Sequence, residues 1–454
     1  MKTVALHTLG CKLNYSETSA ISKQFEDKGF KILEYGKSSD FFVLNTCSVT
    51  ENADKECRQI VRSIIRQNPD TYVIVTGCYA QLQPDEIAKI NGVDLVLGAN
   101  EKFKLFDHLD NSILNDPQKN LTCTGNVSVF RSDISEVKDF TQAFTADTDS
   151  RTRAFLKIQD GCSYKCSFCT IPLARGSSRS QDISGVIDNA KKILDSGYKE
   201  IILTGVNTGD FNYNGKKLID VLYELERLPV ERIRISSIEP NLLTEEIITL
   251  AASSEKFCHH FHIPLQSGDD EILSLMRRRY RSDFYKDLIF KIKDKMPDAG
   301  IGVDVIVGFP GESDSHFNNT YSFLSSLPVS YLHTFSYSER RDTYAITLPG
   351  SVEVRKRKLR SKMLRSLSEK LKENFYFKYL YSEQDVLFES KKQNGFYEGF
   401  TSNYIRVKMH SEEDLENKVV KVKLTESDGA NSVTVERINS LENSGFLKYS
   451  EIIN

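Results

Sequence analysis

The sequence predicts an N-terminal doubly wound parallel α/β sheet, a central TIM-like partial (β/α)6 barrel and a small C-terminal all-β barrel. Apolar runs alternate with amphipathic segments over residues 1–110 and again over 151–378, and this alternation is typical of parallel sheets with crossover helices. Over residues 379–442 the pattern changes to short alternating strands, which indicates a small barrel. A polar linker at 111–150 and a tail at 443–454 complete the predicted organisation.

Composition agrees with a multidomain globular protein. The chain has 454 residues, of which 39% are hydrophobic and 27% charged, and this length favours two or three domains. The N-terminus has no signal-peptide pattern and no apolar run is long enough to span a bilayer, so we expect a cytoplasmic protein without a membrane partner. Nine cysteines without a secretory signal argue against a disulfide framework and favour ligation, catalysis or burial.

Three strand-like runs in the first domain each end on a cysteine. "VALHTLGC", "FFVLNTC" and "YVIVTGC" place Cys11, Cys47 and Cys78 just past the ends of buried strands. The remaining predicted elements of this sheet are helices at 16–30, 51–69 and 84–90 and a fourth strand at 93–98.

Six strand-like runs alternate with helical segments in the central domain. This number suggests a TIM-like barrel, complete or partial, with its chemistry at the carboxyl ends of the strands. The predicted strands lie at 155–161, 200–206, 232–239, 259–268, 301–312 and 330–338. The C-terminal barrel is predicted from five short strands within 385–439.

The densest cysteine motif follows the first central strand. "DGCSYKCSFCTIP" places Cys162, Cys166 and Cys169 in a C-x3-C-x2-C array, and thiolates at this spacing can reach three corners of an iron–sulfur cube. The fourth iron would keep an open position for a substrate, as catalytic metals do. The alternative is a zinc knuckle completed by a distant histidine, which is less favoured because the loop contains no histidine.

"CSYKCSFC", including Phe168, resembles the cluster loop of the radical S-adenosylmethionine (SAM) enzymes. That resemblance implies a [4Fe-4S] cluster whose open iron binds SAM and whose electron cleaves it to a 5′-deoxyadenosyl radical. Over nearly the whole chain the sequence resembles the methylthiotransferases, and their C-terminal barrel is a TRAM domain. The motifs that most resemble the branch acting on N6-threonylcarbamoyladenosine are "HTLGCKLNYSET", "NTCSVT", "TGCYAQ", "KIQDGC", "IPLARG", "LTGVNTG", "RISSIEP", "HIPLQSG", "MRRRY" and "DVIVGFPGE". The isopentenyladenosine branch typically opens with a "YGCQMN"-like run instead.

Beside this resemblance, the isolated cysteines are interpreted as ligands of a second [4Fe-4S] cluster. Parallel strands end along one sheet edge, so Cys11, Cys47 and Cys78 can converge there; the alternative is that they are buried hydrophobes. Cys57, Cys123 and Cys258 match no ligand of the family and are interpreted as packing residues.

SAM also needs partners for its ribose, adenine and carboxylate, which strand ends can supply. Each candidate has a purely structural alternative, and His260 and His262 are interpreted as satisfied barrel histidines. The candidates are Gly205, Asn207 and Thr208, then Ser237 and Glu239, then Gln266 and Ser267, and finally Asp304 and Gly308.

The resemblance implies that a methylthio group replaces the C2 hydrogen of the modified adenosine at position 37 of tRNA. The sheet-edge cluster would present sulfur for methylation by one SAM, and the barrel cluster would cleave a second. Radical chemistry is reasonable because an aromatic C–H offers no acidic proton. Implied partners are the tRNA anticodon loop, a sulfur donor and an electron donor such as flavodoxin or ferredoxin.

RNA contacts are expected at local basic segments, since the formal net charge is −3. The candidates are 276–281, 354–365 and a face around Tyr404, Arg406 and Lys408. The alternatives are methylthiolation of isopentenyladenosine, methylthiolation of a ribosomal-protein aspartate, and a metal-binding RNA-binding protein without turnover.

Overall fold

A computed structural model describes residues 1–47, 51–115, 127–145, 152–392 and 395–438. Its first unit is a six-stranded parallel sheet of order β2-β1-β3-β4-β5-β6. The strands are β1 (Thr3–Thr8), β2 (Lys31–Leu33), β3 (Phe41–Thr46), β4 (Tyr72–Gly77), β5 (Leu95–Leu97) and β6 (Ser128–Phe130). The α-helices are α1 (Lys12–Asp27), α2 (Glu51–Gln67), α3 (Cys78–Leu82), α4 (Pro84–Ala88) and α5 (Asn111–Asn115), and a 3-10 helix spans Glu101–Asp107.

Two edge strands of this sheet were not predicted. Every residue of β3 and β4 is buried, and such central strands are recognisable as continuous apolar runs. By contrast β2 and β6 have three residues each, and β6 is exposed throughout. Since β6 lies within the predicted linker 111–150, that segment contributes an edge strand to the sheet although its sequence carries no strand pattern.

The second unit is an open half-barrel of two three-stranded parallel sheets. Their orders are β13-β10-β7 and β14-β15-β16, and isolated parallel bridges such as Ser237 to His262 join them. Among the described residues β7 and β16 do not pair, so the barrel is open on one side. Helix α1 covers β7 at that side, where the Tyr15 and Phe155 rings lie 6.3 Å apart.

The half-barrel strands lie close to their predicted positions. They are β7 (Arg153–Lys157), β10 (Glu200–Thr204), β13 (Arg232–Ile235), β14 (His260–His262), β15 (Gly300–Val307) and β16 (Tyr331–Ser336), with short hairpins β8 (Gln159–Asp160) with β9 (Arg179–Ser180) and β11 (Asn212–Tyr213) with β12 (Lys216–Lys217). The helices are α6 (Ile171–Arg175), α7 (Ile183–Asp195), α8 (Leu218–Glu226), α9 (Glu245–Ser253), α10 (Asp270–Leu275), α11 (Ser282–Lys295), α12 (Asp314–Ser326) and α13 (Val354–Lys378), with 3-10 turns at Thr208–Asp210, Pro240–Leu242 and Tyr344–Thr347.

The third unit is a closed five-stranded barrel of order β17-β18-β19-β21-β20. Arg232, at the start of β13, donates to the carbonyls of Phe400 (2.9 Å) and Asp385 (2.6 Å), so the small barrel docks beneath the half-barrel. Its strands are β17 (Glu383–Lys391), β18 (Phe396–Thr401), β19 (Arg406–His410), β20 (Val419–Ser427) and β21 (Val433–Arg437). The predicted fold class is therefore confirmed. In the described parts of the chain, no helix combines the length and apolarity needed to cross a bilayer.

Candidate active site between the sheet and the half-barrel

The structure brings Cys11, Cys47 and Cys78 to one edge of the first sheet, and we call them the sheet-edge triad. They follow β1, β3 and β4, which are neighbours in the sheet. Gly10 permits the close approach, because its φ is +112° and a Cβ there would lie 2.5 Å from the Cys47 Cβ. Adjacent parallel strands thus place three thiols side by side although they are far apart in sequence.

A buried arginine of the half-barrel contacts the sheet-edge triad. Arg175, at the end of α6, donates from Nε to the Cys78 Sγ at 3.3 Å. Its Nη2 also donates to the Asn14 Oδ1 at 2.7 Å. Desolvation at the cavity wall raises the pKa of the Cys11 thiol, and the Arg175 charge opposes that shift.

The same arginine belongs to a buried charge network between the two units. The two Nη atoms of Arg175 each donate to one oxygen of the Glu17 carboxylate at 2.9 Å. The Lys157 Nζ lies 3.1 Å from the same carboxylate. Lys102 also pairs with Glu17, and Arg175 reaches Asp160 at 3.0 Å. Burial alone would raise the pKa of Glu17, but these three cations hold it well below its usual range. Two of these cations, Arg175 and Lys157, belong to the half-barrel, so the half-barrel helps to keep Glu17 ionised.

Cys162, Cys166 and Cys169 follow the first half-barrel strand, and we call them the loop triad. Burial raises the pKa of Cys162 to about 11 and that of Cys169 to about 12. Arg278 donates from Nη1 to the Cys166 Sγ at 3.1 Å and pairs with Glu239. Each triad thus has one thiol bonded by an arginine that also holds a carboxylate.

This position of Arg278 changes the interpretation of the basic segment 276–281. Its side chain is 3% exposed, so it faces the loop triad and not RNA phosphate. The Arg279 guanidinium lies 3.7 Å from the centre of the Tyr164 ring. The segment therefore supports the cysteine loop at least as much as it offers cations to a partner.

Each triad offers three thiols, the ligand type that iron–sulfur clusters use. Within the described ranges, no three His, Cys, Asp or Glu side chains converge closely enough to hold one ion. Thiols of each triad are nevertheless near enough to influence one another electrostatically. A cube is held at separate corners, whereas tetrahedral zinc requires its ligands to meet at one point. Three thiols at each triad are therefore the donor set that a four-iron cube would take.

A cavity of about 690 Å³ lies where the three units meet. Cys11 and Lys12 of the first unit, strand-end residues of the half-barrel and Glu389 of the small barrel line its wall. Three predicted SAM-contact residues are among the lining: Gly205, Ser237 and Asp304. Cys11 of the sheet-edge triad and the strand ends of the half-barrel therefore open onto a common space.

His262 orients two of those residues. The Ser237 Oγ lies 2.8 Å from its Nδ1, and the Asp304 Oδ1 lies 2.8 Å from its Nε2. Both ring nitrogens thus have partners, as expected of a satisfied barrel histidine, and the His262 ring also lines the cavity. His260 is buried and contacts the Tyr331 hydroxyl at 2.8 Å.

Asn207 carries the clearest sign of a missing partner. Its side chain is buried, and neither amide atom has a hydrogen-bond partner among the described residues. Its backbone N–H donates to the Gln159 Oε1 at 2.9 Å. Burying an amide without hydrogen-bond partners costs free energy. A ligand that forms hydrogen bonds with the Asn207 side chain would offset this cost.

Three other candidates are held by the protein itself. Glu239 pairs with Arg278, and Gln266 has a φ of +71° at the turn after β14. Gly308 donates its N–H to Glu312 at 2.7 Å, and a Cβ on it would lie 2.2 Å from the Arg357 Cγ. The close approach expected at Gly308 is thus made by an arginine of α13.

Several residues that were expected to contact RNA are buried or paired within the protein. Arg357 and Arg360 of α13 are buried and pair with Glu339 and Glu312. Tyr404 stacks on His260 at 4.4 Å, so it packs against the half-barrel. Two other expected contacts have partners within the small barrel: Arg406 pairs with Glu398 (2.7 Å) and Lys408 with Asp428 (2.6 Å). Within 354–365 the cations that remain exposed are Arg355, Lys356, Lys358, Lys362 and Arg365.

Several site residues were not identified from sequence. Lys12, Gln159, Arg175 and Arg278 stand inside motifs already quoted, but one sequence does not show which way their side chains turn. Cys57 and Cys258 are buried, as expected for packing residues, and Cys123 lies outside the described residues.

An open half-barrel whose first strand leads into the loop triad defines a radical SAM protein. A family profile of the radical SAM superfamily matches residues 156–324, and a profile of the uncharacterized protein family UPF0004 matches residues 3–98. The solved radical SAM methyltransferase TsrM from Kitasatospora setae shares the fold, with a TM-score of 0.54 at 15% identity over 74% of this chain and 73% of that one.

Relatives in sequence show which family of radical SAM proteins the chain belongs to. The threonylcarbamoyladenosine tRNA methylthiotransferase MtaB of Bacillus subtilis is 40% identical over 93% of this chain and 94% of its own length. MtaB of Aquifex aeolicus is 36% identical over 92% and 99%. A tRNA-2-methylthio-N(6)-dimethylallyladenosine synthase of Syntrophus aciditrophicus is 30% identical over 88% and 85%. The chain therefore belongs to the radical SAM methylthiotransferase family of enzymes, and this membership implies a [4Fe-4S] cluster and SAM.

Proposed function

We propose that this enzyme replaces the C2 hydrogen of N6-threonylcarbamoyladenosine at position 37 of tRNA with a methylthio group. The observation that carries this proposal is the shared cavity, onto which both Cys11 and the half-barrel strand ends open. Relatives named for this substrate, such as MtaB of Bacillus subtilis, reach higher identity than those named for dimethylallyladenosine. The ribosomal-protein aspartate and the non-enzymatic alternative have no such support.

The two triads would hold two [4Fe-4S] clusters, one supplying the methylated sulfur and the other the electron that cleaves SAM. Arg175 and Arg278 would orient a thiolate in each triad and offset its negative charge. Asn207, Ser237 and Asp304 would bind SAM at the strand ends, with His262 fixing the last two. The cavity wall would exclude water from the reacting carbon.

The RNA would approach as a single-stranded anticodon loop, because a base must leave its stack to enter the cavity. Exposed cations of α13 would contact backbone phosphates, and the small barrel would act as a TRAM-like module. A cytoplasmic location, a sulfur donor and an electron donor such as flavodoxin or ferredoxin belong to the same proposal.

Nucleoside mass spectrometry of tRNA from cells lacking this protein tests the substrate. We expect 2-methylthio-N6-threonylcarbamoyladenosine to disappear while N6-threonylcarbamoyladenosine accumulates. Wild-type protein should restore the modification and the matched Cys162→Ala variant should not. Loss of the methylthio mark from isopentenyladenosine, or from a ribosomal protein instead of tRNA, would contradict the proposal.

A further inference from the structure

Lys12 is a cation in the cavity wall that the reaction described above does not use. It begins α1 directly after Cys11 and lines the cavity. A helix N-terminus carries partial positive charge, so a lysine is unfavourable there unless an anion lies close by. A negatively charged group close to Lys12 would therefore be favourable.

The protein does not supply that partner in the parts of the chain that are described. Each acidic side chain in or beside the cavity already has a bonded partner. Glu389 pairs with Arg153 at 2.7 Å and Glu200 with Arg234 at 2.8 Å, while Asp304 shares a hydrogen bond of 2.8 Å with His262. Among the described residues, Lys12 Nζ has neither an ion-pair partner nor a hydrogen-bond acceptor. Lys12 is thus a cation of the cavity wall without a bonded partner of its own among the described residues.

Because Lys12 has no bonded partner among the described residues, we infer that it binds the threonyl carboxylate of the substrate base and selects this base over bases with an uncharged N6 substituent. The inference rests on the proposed function. Within the modified base, that carboxylate is the group with a full negative charge. On adenine, C2 and the N6 substituent flank N1 on the same edge. A base whose C2 faces the cluster held by Cys11 therefore presents its N6 substituent near the adjoining residue.

Burial of the pair gives it discriminating power. When one partner of an ion pair that is shielded from water is lost, binding is strongly weakened, because the other charge stays buried and unpaired. An uncharged substituent such as isopentenyl would leave Lys12 unpaired and would be rejected on this ground.

The test is a two-by-two comparison of binding, made with the reconstituted holoenzyme and SAM but without reductant, so that no turnover occurs. One anticodon stem-loop RNA carries N6-threonylcarbamoyladenosine, and the second carries the methyl ester of its threonyl carboxylate. Wild type should bind the acid at least about 30-fold more tightly than the ester. Lys12→Gln should bind both alike, at about the level of wild type with the ester.

Two further variants serve as controls. Lys12→Arg keeps the charge and should keep most of the preference for the acid. Lys28 is the exposed C-terminal cap of the same helix. Lys28→Gln makes the same lysine-to-glutamine change there and should behave as wild type. Melting curves would show that each variant is folded.

A Lys12→Gln variant that retains the acid preference would overturn the inference. Equal losses for acid and ester would also overturn it, because they would place Lys12 on SAM or on the phosphate backbone. A wild type that binds acid and ester equally would refute the role of Lys12 and leave methylthiolation standing. Failure of the reduced wild type to methylthiolate the acid RNA would instead refute the proposed function.

Discussion

The sheet-edge triad draws its cysteines from the ends of three strands, whereas the loop triad takes all three from one short loop. Both use a buried arginine that donates to one thiol and holds a carboxylate: Arg175 with Cys78 and Glu17, Arg278 with Cys166 and Glu239. The difference is where the arginine comes from. Arg278 belongs to the same unit as its triad, but Arg175 crosses from the half-barrel into the first unit. The sheet-edge triad should therefore depend on docking of the two units.

Replacing a whole triad should give the largest effect. Changing Cys11, Cys47 and Cys78 together to Ala should lower the iron of the reconstituted protein from about eight to about four atoms per chain. The equivalent change of Cys162, Cys166 and Cys169 should remove the other four. Iron analysis with Mössbauer spectroscopy would check this. An unchanged iron content after either replacement would break the comparison.

Glu17→Gln should destabilise the docked units strongly. The change leaves Arg175, Lys102 and Lys157 buried around a neutral side chain, and an uncompensated buried charge costs about 3–5 kcal/mol. Denaturant unfolding of the apoprotein would measure the loss. Glu231→Gln is the matched control, since it breaks a half-exposed pair with Lys199 and should cost less than about 1 kcal/mol. A small Glu17 effect would show that the network does not hold the interface.

The two arginines should tune their clusters separately. A cationic donor to a thiolate stabilises the more negative reduced cluster, so its removal lowers the reduction potential. Arg175→Met should lower the potential of the sheet-edge cluster by roughly 50–100 mV, the equivalent of about 1–2 kcal/mol. Arg278→Met should do the same to the loop cluster. Redox titration followed by electron paramagnetic resonance would separate them, and a shift of both potentials by one substitution would refute their independence.

The smallest of these effects should be the change in folding stability when the pH is lowered. Burial alone would raise the pKa of Asp160, but Lys157, Arg175 and Arg179 hold it well below its usual range, as the cations around Glu17 do for that residue. Both carboxyls therefore stabilise the fold fully above their unfolded pKa near 4 and lose this contribution as the pH falls below it. Between pH 4 and 3 the Glu17→Gln variant should lose up to about 1.4 kcal/mol less of its stability than wild type. Parallel pH profiles would contradict this account.

Much of this architecture could be predicted from one sequence. Central strands such as β3 and β4 are continuous apolar runs, and the loop triad has a spacing that few other sites share. Short exposed strands such as β6 could not be predicted, because their pairing is decided by the sheet that they join.

The roles of single side chains were harder to predict. "IPLARG", "MRRRY" and "LGCKLN" contain Arg175, Arg278 and Lys12, but burial and pairing depend on residues far away in sequence. Glu17 and Arg175 are 158 positions apart. Nothing local distinguishes Arg278, which contacts a thiol, from its exposed neighbour Arg279.

The central claim is that the two cysteine sites do different jobs in one reaction. A single-turnover assay of Cys11→Ala tests it most directly, with 5′-deoxyadenosine and the methylthiolated base measured in the same sample. The account predicts that 5′-deoxyadenosine is still formed and that no methylthio product appears. Formation of the methylthio product by this variant, or loss of 5′-deoxyadenosine together with the product, would contradict the division of labour.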